Sequence, residues 1–554
     1  MNVSETFVNS LERLGVTRVY GLIGTSILSF VDALKDSTIR YISTRQDQSA
    51  VSMAVAEGKT LGKPGVAAVH GGPGFLNSLT AVAVARKDCT PIIMITGAVK
   101  RRMKGLDSWL EVDQQSIARP IAKSFFRVEK PTDAERVIAN AFSVSCSAPQ
   151  GPVVVECPED SWDLDVTSSD LQTVTANPQP PLLATPAEVS QVLELMKKSR
   201  APIIVGGGGI NNRRGAEMID RLVRRFRVPV VTTGSGRGVL SENSEFSLGR
   251  TGFGGGSTLA DYCLRDSDFV LALGAGLSDV TTYAYNYIPN ANIVCVNLDP
   301  LAEMKPIPYS LVLKCDAVSF LEKFLDETDE TKYEPSKEWI MKVEEERNNW
   351  KSRLEEALSR KYDGFVNPSN FFRFLDSKLP EDAIITAGQG LHVLYAHSFL
   401  KVRKHSSFLA ATNLGAMGYA LPAALGAKAS NPEREVIAVV GDGEFMMNVS
   451  DIETGSREKL AVKIIIVNDN SYRVLLMRQE LQKMGRIHGT LLTNPDFVKL
   501  GDAFGVRSMS IYDNTSIQDA VGFVLEKSDL PRLLELKISR DDLPPLNLEA
   551  SMRF

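Results

Sequence analysis

Val436–Ser471, VIAVVGDGEFMMNVSDIETGSREKLAVKIIIVNDNS, decides how the rest of the chain is read. The apolar run VIAVV enters Gly441-Asp442-Gly443, and a second run, Val462 to Val467, enters Asn468-Asp469-Asn470. Short apolar runs that end in turn residues read as buried strands, here with a helix-like segment between them. Asp469 lies 27 residues after Asp442 (469 − 442 = 27), which suits one crossover helix between adjacent parallel strands. Ligands of an open parallel sheet sit at the carboxyl ends of its strands. Asp442 and Asp469 are therefore expected at one edge, holding a divalent cation through oxygen with the Ser471 carbonyl as a third donor. Gly441 and Gly443 let a phosphate approach the backbone and the following helix N-terminus. Gly-Asp-Gly alone is common in turns; the strand before each turn is what sets this stretch apart.

Outward from this stretch, the same unit begins at about residue 365 and runs to 554. It includes AIITAGQG, the small-residue segment NLGAMGYALPAALGAKA and a last strand RLLELKIS, with no clear structure from Arg540 onward. A second unit, 187–329, carries APIIVGGGGI, RVPVVTTGSGRG, DFVLALGAG and ANIVCVNLDP, each a strand entering a turn. A charged helical stretch, Thr331 to Tyr362, crosses between these two units. The first unit, 1–163, alternates in the same way through VTRVYGLIG, GVAAVH, PIIMITG and GPVVVECPED, after a helix that Ser4 can cap and that ends near Gly15. Leu164 to Pro186 is rich in Ser, Thr, Pro and Gln and reads as a linker. The expected fold is α/β, with three doubly wound parallel-sheet domains. The first and third share a strand–helix rhythm consistent with a duplication.

At 554 residues the chain is too long for one core, which agrees with three domains. A net charge of −5 argues against nucleic acid as a partner. The six cysteines are scattered without a CxxC pair, as in a protein of the reducing cytoplasm. The N-terminus is an amphipathic helix pattern rather than a signal peptide, and no apolar run is long enough to span a membrane.

GDGEFMMN followed by IIIVNDN resembles the diphosphate- and metal-binding motif of thiamine-diphosphate enzymes. The likeness covers nearly the whole chain, in the order pyrimidine-binding, central and diphosphate-binding domains. It is strongest to the acetolactate synthase-like group, which also includes benzoylformate decarboxylase and oxalyl-CoA decarboxylase. The resemblance implies thiamine diphosphate and Mg²⁺ as cofactors, with Asp442, Asp469 and Ser471 as metal ligands. It places Gly388, Gln389, Gly441, Gly443 and Glu444 near the diphosphate, Gly415 with a carbonyl on the aminopyrimidine, and Met417 as a wedge under the bent cofactor.

In this family a carboxyl group beside the pyrimidine ring promotes the tautomer that activates the thiazolium carbon. Similar members carry Arg-His-Glu-Gln there, whereas this chain has Arg45-Gln46-Asp47-Gln48. Asp47 thus stands at the glutamate position, one methylene short. His70, in Val69-His70-Gly71-Gly72-Pro73-Gly74, matches a histidine that serves as acid/base in benzoylformate decarboxylase, and Asn77 of the same loop is a candidate for positioning. Arg478 replaces a tryptophan of the biosynthetic acetolactate synthases and can pair with a substrate carboxylate. Trp109 and Leu110 stand where oxalyl-CoA decarboxylase has Tyr and Glu. FAD-containing relatives carry Arg-Phe-Asp-Asp-Arg after a Leu-Gly strand end. Here Gly276, Leu277, Ser278, Asp279 and Val280 follow Leu273-Gly274-Ala275, which argues against FAD and leaves a structural central domain or an adenine nucleotide open.

The implied activity is decarboxylation of a small-molecule 2-oxo acid with carboligation. A simple 2-oxo acid decarboxylase, a 2-hydroxyacyl-CoA lyase and a weakly active cofactor-binding paralogue are the alternatives. In this family the pyrimidine domain of one subunit faces the diphosphate domain of another, so the likeness implies a homodimer or homotetramer.

Overall fold

The computed structural model of the chain describes residues 1–166, 175–328, 332–545 and 547. Eighteen strands form three six-stranded sheets among these residues, and every strand pair within them is parallel.

The first sheet holds β1 (Arg18–Leu22), β2 (Arg40–Ser43), β3 (Gly65–Val69), β4 (Ile92–Ala98), β5 (Ser124–Arg127) and β6 (Pro152–Pro158), in the order β2-β1-β3-β4-β6-β5. The second holds β7 (Pro202–Gly206), β8 (Val230–Thr232), β9 (Ser247–Arg250), β10 (Phe269–Leu273), β11 (Asn292–Val296) and β12 (Tyr309–Leu313), in the order β12-β11-β10-β7-β8-β9. The third holds β13 (Ile384–Ala387), β14 (Phe408–Ala410), β15 (Val436–Gly441), β16 (Lys463–Asn468), β17 (Arg507–Ile511) and β18 (Arg532–Lys537), in the order β14-β13-β15-β16-β18-β17.

Numbered from its own first strand, the third sheet repeats the order of the first, 2-1-3-4-6-5. The middle sheet is the doubly wound order 3-2-1-4-5-6. A parallel sheet opens a ligand crevice where the strand order reverses. In the outer sheets that point lies between the first and third strands, β1/β3 and β13/β15. His70 directly follows β3, and Gly388 and Asp442 directly follow β13 and β15.

Several expectations needed correction. The first helix, Val3–Arg13, is capped by Asn2, whose side chain takes the Glu5 amide in a capping box, while Ser4 is buried under Trp162. Ser4 lies inside the first turn, where its hydroxyl bonds the Trp162 carbonyl instead of a free amide. The helix after Gly441 spans only Asp442–Phe445, so it contributes little axial dipole and any anion there is met by local amides. The tail is anchored rather than loose as far as it is described. Asp542 takes hydrogen bonds from Tyr395 (2.8 Å) and Tyr362 (3.2 Å), and Asn547 donates to Asp261 at 2.8 Å. Part of the linker (167–174), the end of the central unit at Asp329 and the rest of the tail lie outside the described residues. The charged crossing helix is Lys337–Ser359. All six cysteines are free thiols, and among the described residues no helix is long and apolar enough to cross a membrane.

The outer domains meet through two helices, Asp47–Leu61 and Ala420–Ser430. Gly426 makes the approach possible: a Cβ there would lie 2.3 Å from the Met53 carbonyl oxygen. Gly426→Ala is expected to force the helices apart at a cost of about 1–3 kcal/mol. Thermal unfolding checks this, and an unchanged midpoint would count against the observed packing.

Candidate active site

β15 and β16 lie side by side, with Gly441 paired to Val467, so the turns after them open on the same edge. Asp442 is 2% exposed, and its carboxyl is pushed up to about 6 by burial, with the charge of Asp469 adding to the effect. Burial also raises Asp469. Two buried carboxylates that raise their own proton affinity are costly until a cation sits between them. The Asn494 side-chain nitrogen approaches this place, 2.7 Å from Asp442 Oδ2, 3.1 Å from Asn468 Oδ1 and 3.0 Å from Asn470 Oδ1. That NH₂ has two hydrogens for three oxygens, a surplus of acceptors that suits a hard divalent cation. The Ser471 hydroxyl donates to Asp469 Oδ1 at 2.8 Å, and the turn is braced by the Ser471–Leu491 bridge and by Asn470 in the left-handed region. Among the described residues no group of three or more His, Cys, Asp or Glu side chains is gathered, so such a ligand set would need amide or backbone oxygens besides the two carboxylates.

A cavity beside these carboxylates is lined by Gln389, Met417, Asp442, Gly443, Asp469 and Ser471, among others. Glu444 ties its walls together. Its carboxylate accepts the amides of Gln389 (2.8 Å), Gly418 (3.1 Å) and Tyr419 (3.3 Å). A Cβ on Gly388 would overlap that carboxylate, and one on Gly443 would lie 2.4 Å from the Tyr472 ring. A side chain at either position would displace Glu444 or Tyr472 from its place beside the cavity. Gly415, exposed with φ +75°, has nothing within 4 Å of a Cβ position. Its backbone therefore faces open space. His392, buried against Gly441 and 3.3 Å from Glu444 Oε2, belongs to the same wall.

A second group of buried candidate residues lies in the N-terminal domain. Asp47 is the first residue of the helix Asp47–Leu61 and is 5% exposed, not the surface residue that a strand end would make it. Its Oδ2 accepts from Asn77 at 3.3 Å, its buried Oδ1 has no partner, and burial raises its proton affinity. A Cβ on Gly74 would lie 2.8 Å from Asp47 Oδ1 and 3.1 Å from His70 Cβ, so both side chains border Gly74. Asn448 links this group to the first. Its amide donates to Gln46 (3.2 Å) and Ser49 (2.9 Å), and its Oδ1 abuts Gly418, next to Met417. Within one chain, then, the neighbours of Asp47 already reach the loop that follows Gly441-Asp442-Gly443.

Arg478 stands apart from these groups. It is half-buried on the helix Arg473–Gln482, with its guanidinium 5.8 Å from the Phe253 ring centroid of the central domain, and it does not line the cavity. Asn448, Asn494 and Ser26 were not singled out in the sequence, whereas Gly390-Leu391-His392 stood out as the place where biosynthetic acetolactate synthases have a His-Gln-Met run. Of those three, Asn448 carried a signal, as the last residue of the GDGEFMMN run.

The residues present fit thiamine diphosphate and Mg²⁺ by their donor chemistry. Two buried carboxylates and spare amide oxygens suit the cation, glycines beside the cavity admit a close ligand, and Asp47 of the N-terminal domain keeps one buried carboxylate oxygen unpartnered.

Residues 1–117 match the family described as thiamine pyrophosphate enzyme, N-terminal TPP binding domain; residues 189–324 match the central domain, and residues 388–536 the C-terminal TPP binding domain. The chain is 30% identical over 546 residues to the acetolactate synthase large subunit of Pyropia yezoensis, covering 97% of this chain and 91% of that protein. It is 29% identical over 544 residues to the acetolactate synthase isozyme 2 large subunit of Escherichia coli (strain K12), covering 97% and 96%. It is also 29% identical over 561 residues to a probable acetolactate synthase large subunit of Methanocaldococcus jannaschii, covering 99% and 93%.

Proposed function

Because the chain belongs to the thiamine pyrophosphate enzymes, we propose that it is a Mg²⁺-dependent carboligase of the acetolactate synthase type acting on a 2-oxo acid. The observation that carries this reading is the buried Asp442–Asp469 pair beside the cavity, in a chain that matches acetolactate synthase large subunits almost end to end. Bound thiamine diphosphate would supply the electron sink for loss of CO₂ from the 2-oxo acid.

Asp442, Asp469 and the Ser471 carbonyl would hold Mg²⁺, while Gly388, Gln389, Gly441 and Gly443 leave room for the diphosphate. Met417 would buttress the cofactor and Gly415 offer its carbonyl to the pyrimidine. Asp47, buried and short of one partner, would exchange a proton at the pyrimidine nitrogen, and Asn77 holds its other oxygen in place. Glu444 lines the cavity and holds its walls together by taking backbone amides, and would stand beside the diphosphate. His70 would meet the substrate oxygen. Arg478, on the helix Arg473–Gln482 and outside the cavity lining, would attract a carboxylate. The assembled enzyme would be a homodimer or homotetramer.

Product analysis with pyruvate, thiamine diphosphate and Mg²⁺ tests the reaction. Acetolactate is expected, and acetaldehyde without acetolactate would replace the carboligase reading with a simple decarboxylase. One observation favours a second reading, a weakly active paralogue: the Asp47 side chain is one methylene shorter than the family's glutamate and leaves Oδ1 without a partner.

A further inference from the structure

We propose that Ser26 is a positioning residue that holds His70 as the neutral tautomer with its proton on Nε2, so that His70 serves the substrate as a hydrogen-bond donor and not as a general acid or base. The proposal rests on His70 acting at the reaction centre, as read above.

The argument starts from two amides, which can only donate. The Ser26 backbone N–H points at His70 Nδ1 at 3.4 Å, and the Gly71 N–H donates to Ser26 Oγ at 2.8 Å. Ser26 Oγ lies 2.7 Å from the same Nδ1. A proton on Nδ1 would face the Ser26 amide hydrogen head-on. Nδ1 is therefore the acceptor, the Ser26 hydroxyl donates to it, and the neutral ring carries its hydrogen on Nε2.

The pair is closely packed. The imidazole abuts Gly24, where a Cβ would sit 2.4 Å from His70 Cγ. Ser26 is 2% exposed, and its carbonyl accepts from the Trp162 indole at 2.8 Å. Ser26 and His70 come from the loops after β1 and β3, the reversal point of the first sheet. Nε2 has no hydrogen-bond partner among the described residues and is left for a ligand. The charged groups that face the ring are Asp47 and Glu159, both of which favour the imidazolium, yet burial outweighs them and lowers the His70 pKa.

In this state the proton stays on Nε2 throughout. His70 stabilises negative charge that develops on the former carbonyl oxygen of the substrate, and no bond to hydrogen is broken. A general acid would lose activity as pH rises through its pKa, whereas a neutral donor keeps it.

Full-length holoenzyme labelled with ¹⁵N-histidine tests this. The chain has only five histidines, and the His70→Gln variant identifies the His70 signal. The expected spectrum shows a pyridine-type Nδ1 and a pyrrole-type Nε2 at neutral pH, with kcat flat from about pH 6.5 upward. Ser26→Ala is expected to mix the tautomers and lower kcat about tenfold or more while KM changes little; Ser26→Thr, which keeps the hydroxyl, restores both. A protonated Nδ1 in the wild type, or an unaltered tautomer pattern in Ser26→Ala, would overturn the proposal. Full kcat in His70→Ala, with the wild-type tautomer as expected, would instead overturn the role given to His70 and with it that of Ser26.

Discussion

Asp442→Ala is expected to abolish tight cofactor binding, weakening thiamine diphosphate affinity by about two orders of magnitude or more in the presence of Mg²⁺. Loss of a residue that merely orients a metal ligand already costs 10- to 100-fold, and Asp442 is proposed as a ligand itself. Calorimetric titration of the purified chain with thiamine diphosphate, with and without Mg²⁺, measures it. The apoprotein carries an opposing effect. Burial and Asp469 push the Asp442 carboxyl up to about 6, so at neutral pH its charge destabilises the empty site. Alanine removes that penalty, and the variant is therefore expected to melt no lower than the wild type when both lack metal. A variant that melts lower without metal and binds cofactor normally would remove Asp442 from the metal site. Stripping Mg²⁺ from the wild type with a chelator should reproduce the loss of affinity without changing the fold.

Asp47→Ala is expected to lower kcat by about a hundredfold to ten-thousandfold, the usual contribution of a positioned proton-transfer group, with cofactor affinity much less affected. Asp47→Glu separates the two readings of the site. Displacing a reacting group by about 1 Å can cost roughly a hundredfold. If the shorter side chain leaves the enzyme poorly active, glutamate should raise turnover sharply. If the backbone has moved to compensate, glutamate must crowd Gly74, whose Cα already faces Asp47 Oδ1, and turnover falls. Rapid turnover in the wild type with none in Asp47→Ala would end the weakly active reading. Unchanged turnover in Asp47→Ala would remove Asp47 from the mechanism.

The positions behind these two experiments were legible before any contact was known, although for different reasons. Asp442 and Asp469 were found from strand periodicity, a turn after each strand and a spacing that fits one crossover. Asp47 was found by likeness, and its burial could not be read from RQDQSA, which describes an exposed strand end equally well. Glu444 was assigned to the cofactor as part of the GDGEFMMN motif, and it does line the cavity. The structure turns it toward the amides of Gln389, Gly418 and Tyr419, segments 55, 26 and 25 residues away. Arg478 was read as a substrate contact and instead lies over Phe253, outside the cavity lining. Ser4 was taken as a cap by residue type, but the first turn began two residues earlier at Asn2.

By itself the sequence determined the periodic parts of this protein. Apolar runs that end in glycine and acidic turns specify parallel strands, and the order of those strands puts the turns at sheet edges, so the class of fold and the cofactor edge follow from local chemistry. Only the tertiary structure decided which distant side chains share a hydrogen bond. Ser26 lies 44 residues from His70, Asn494 lies 52 from Asp442, and Asn448 lies 399 from Ser49. No periodicity spans such intervals. These pairs are fixed by strand order and by helix contacts such as Met53 against Gly426, which depend on packing the whole chain at once.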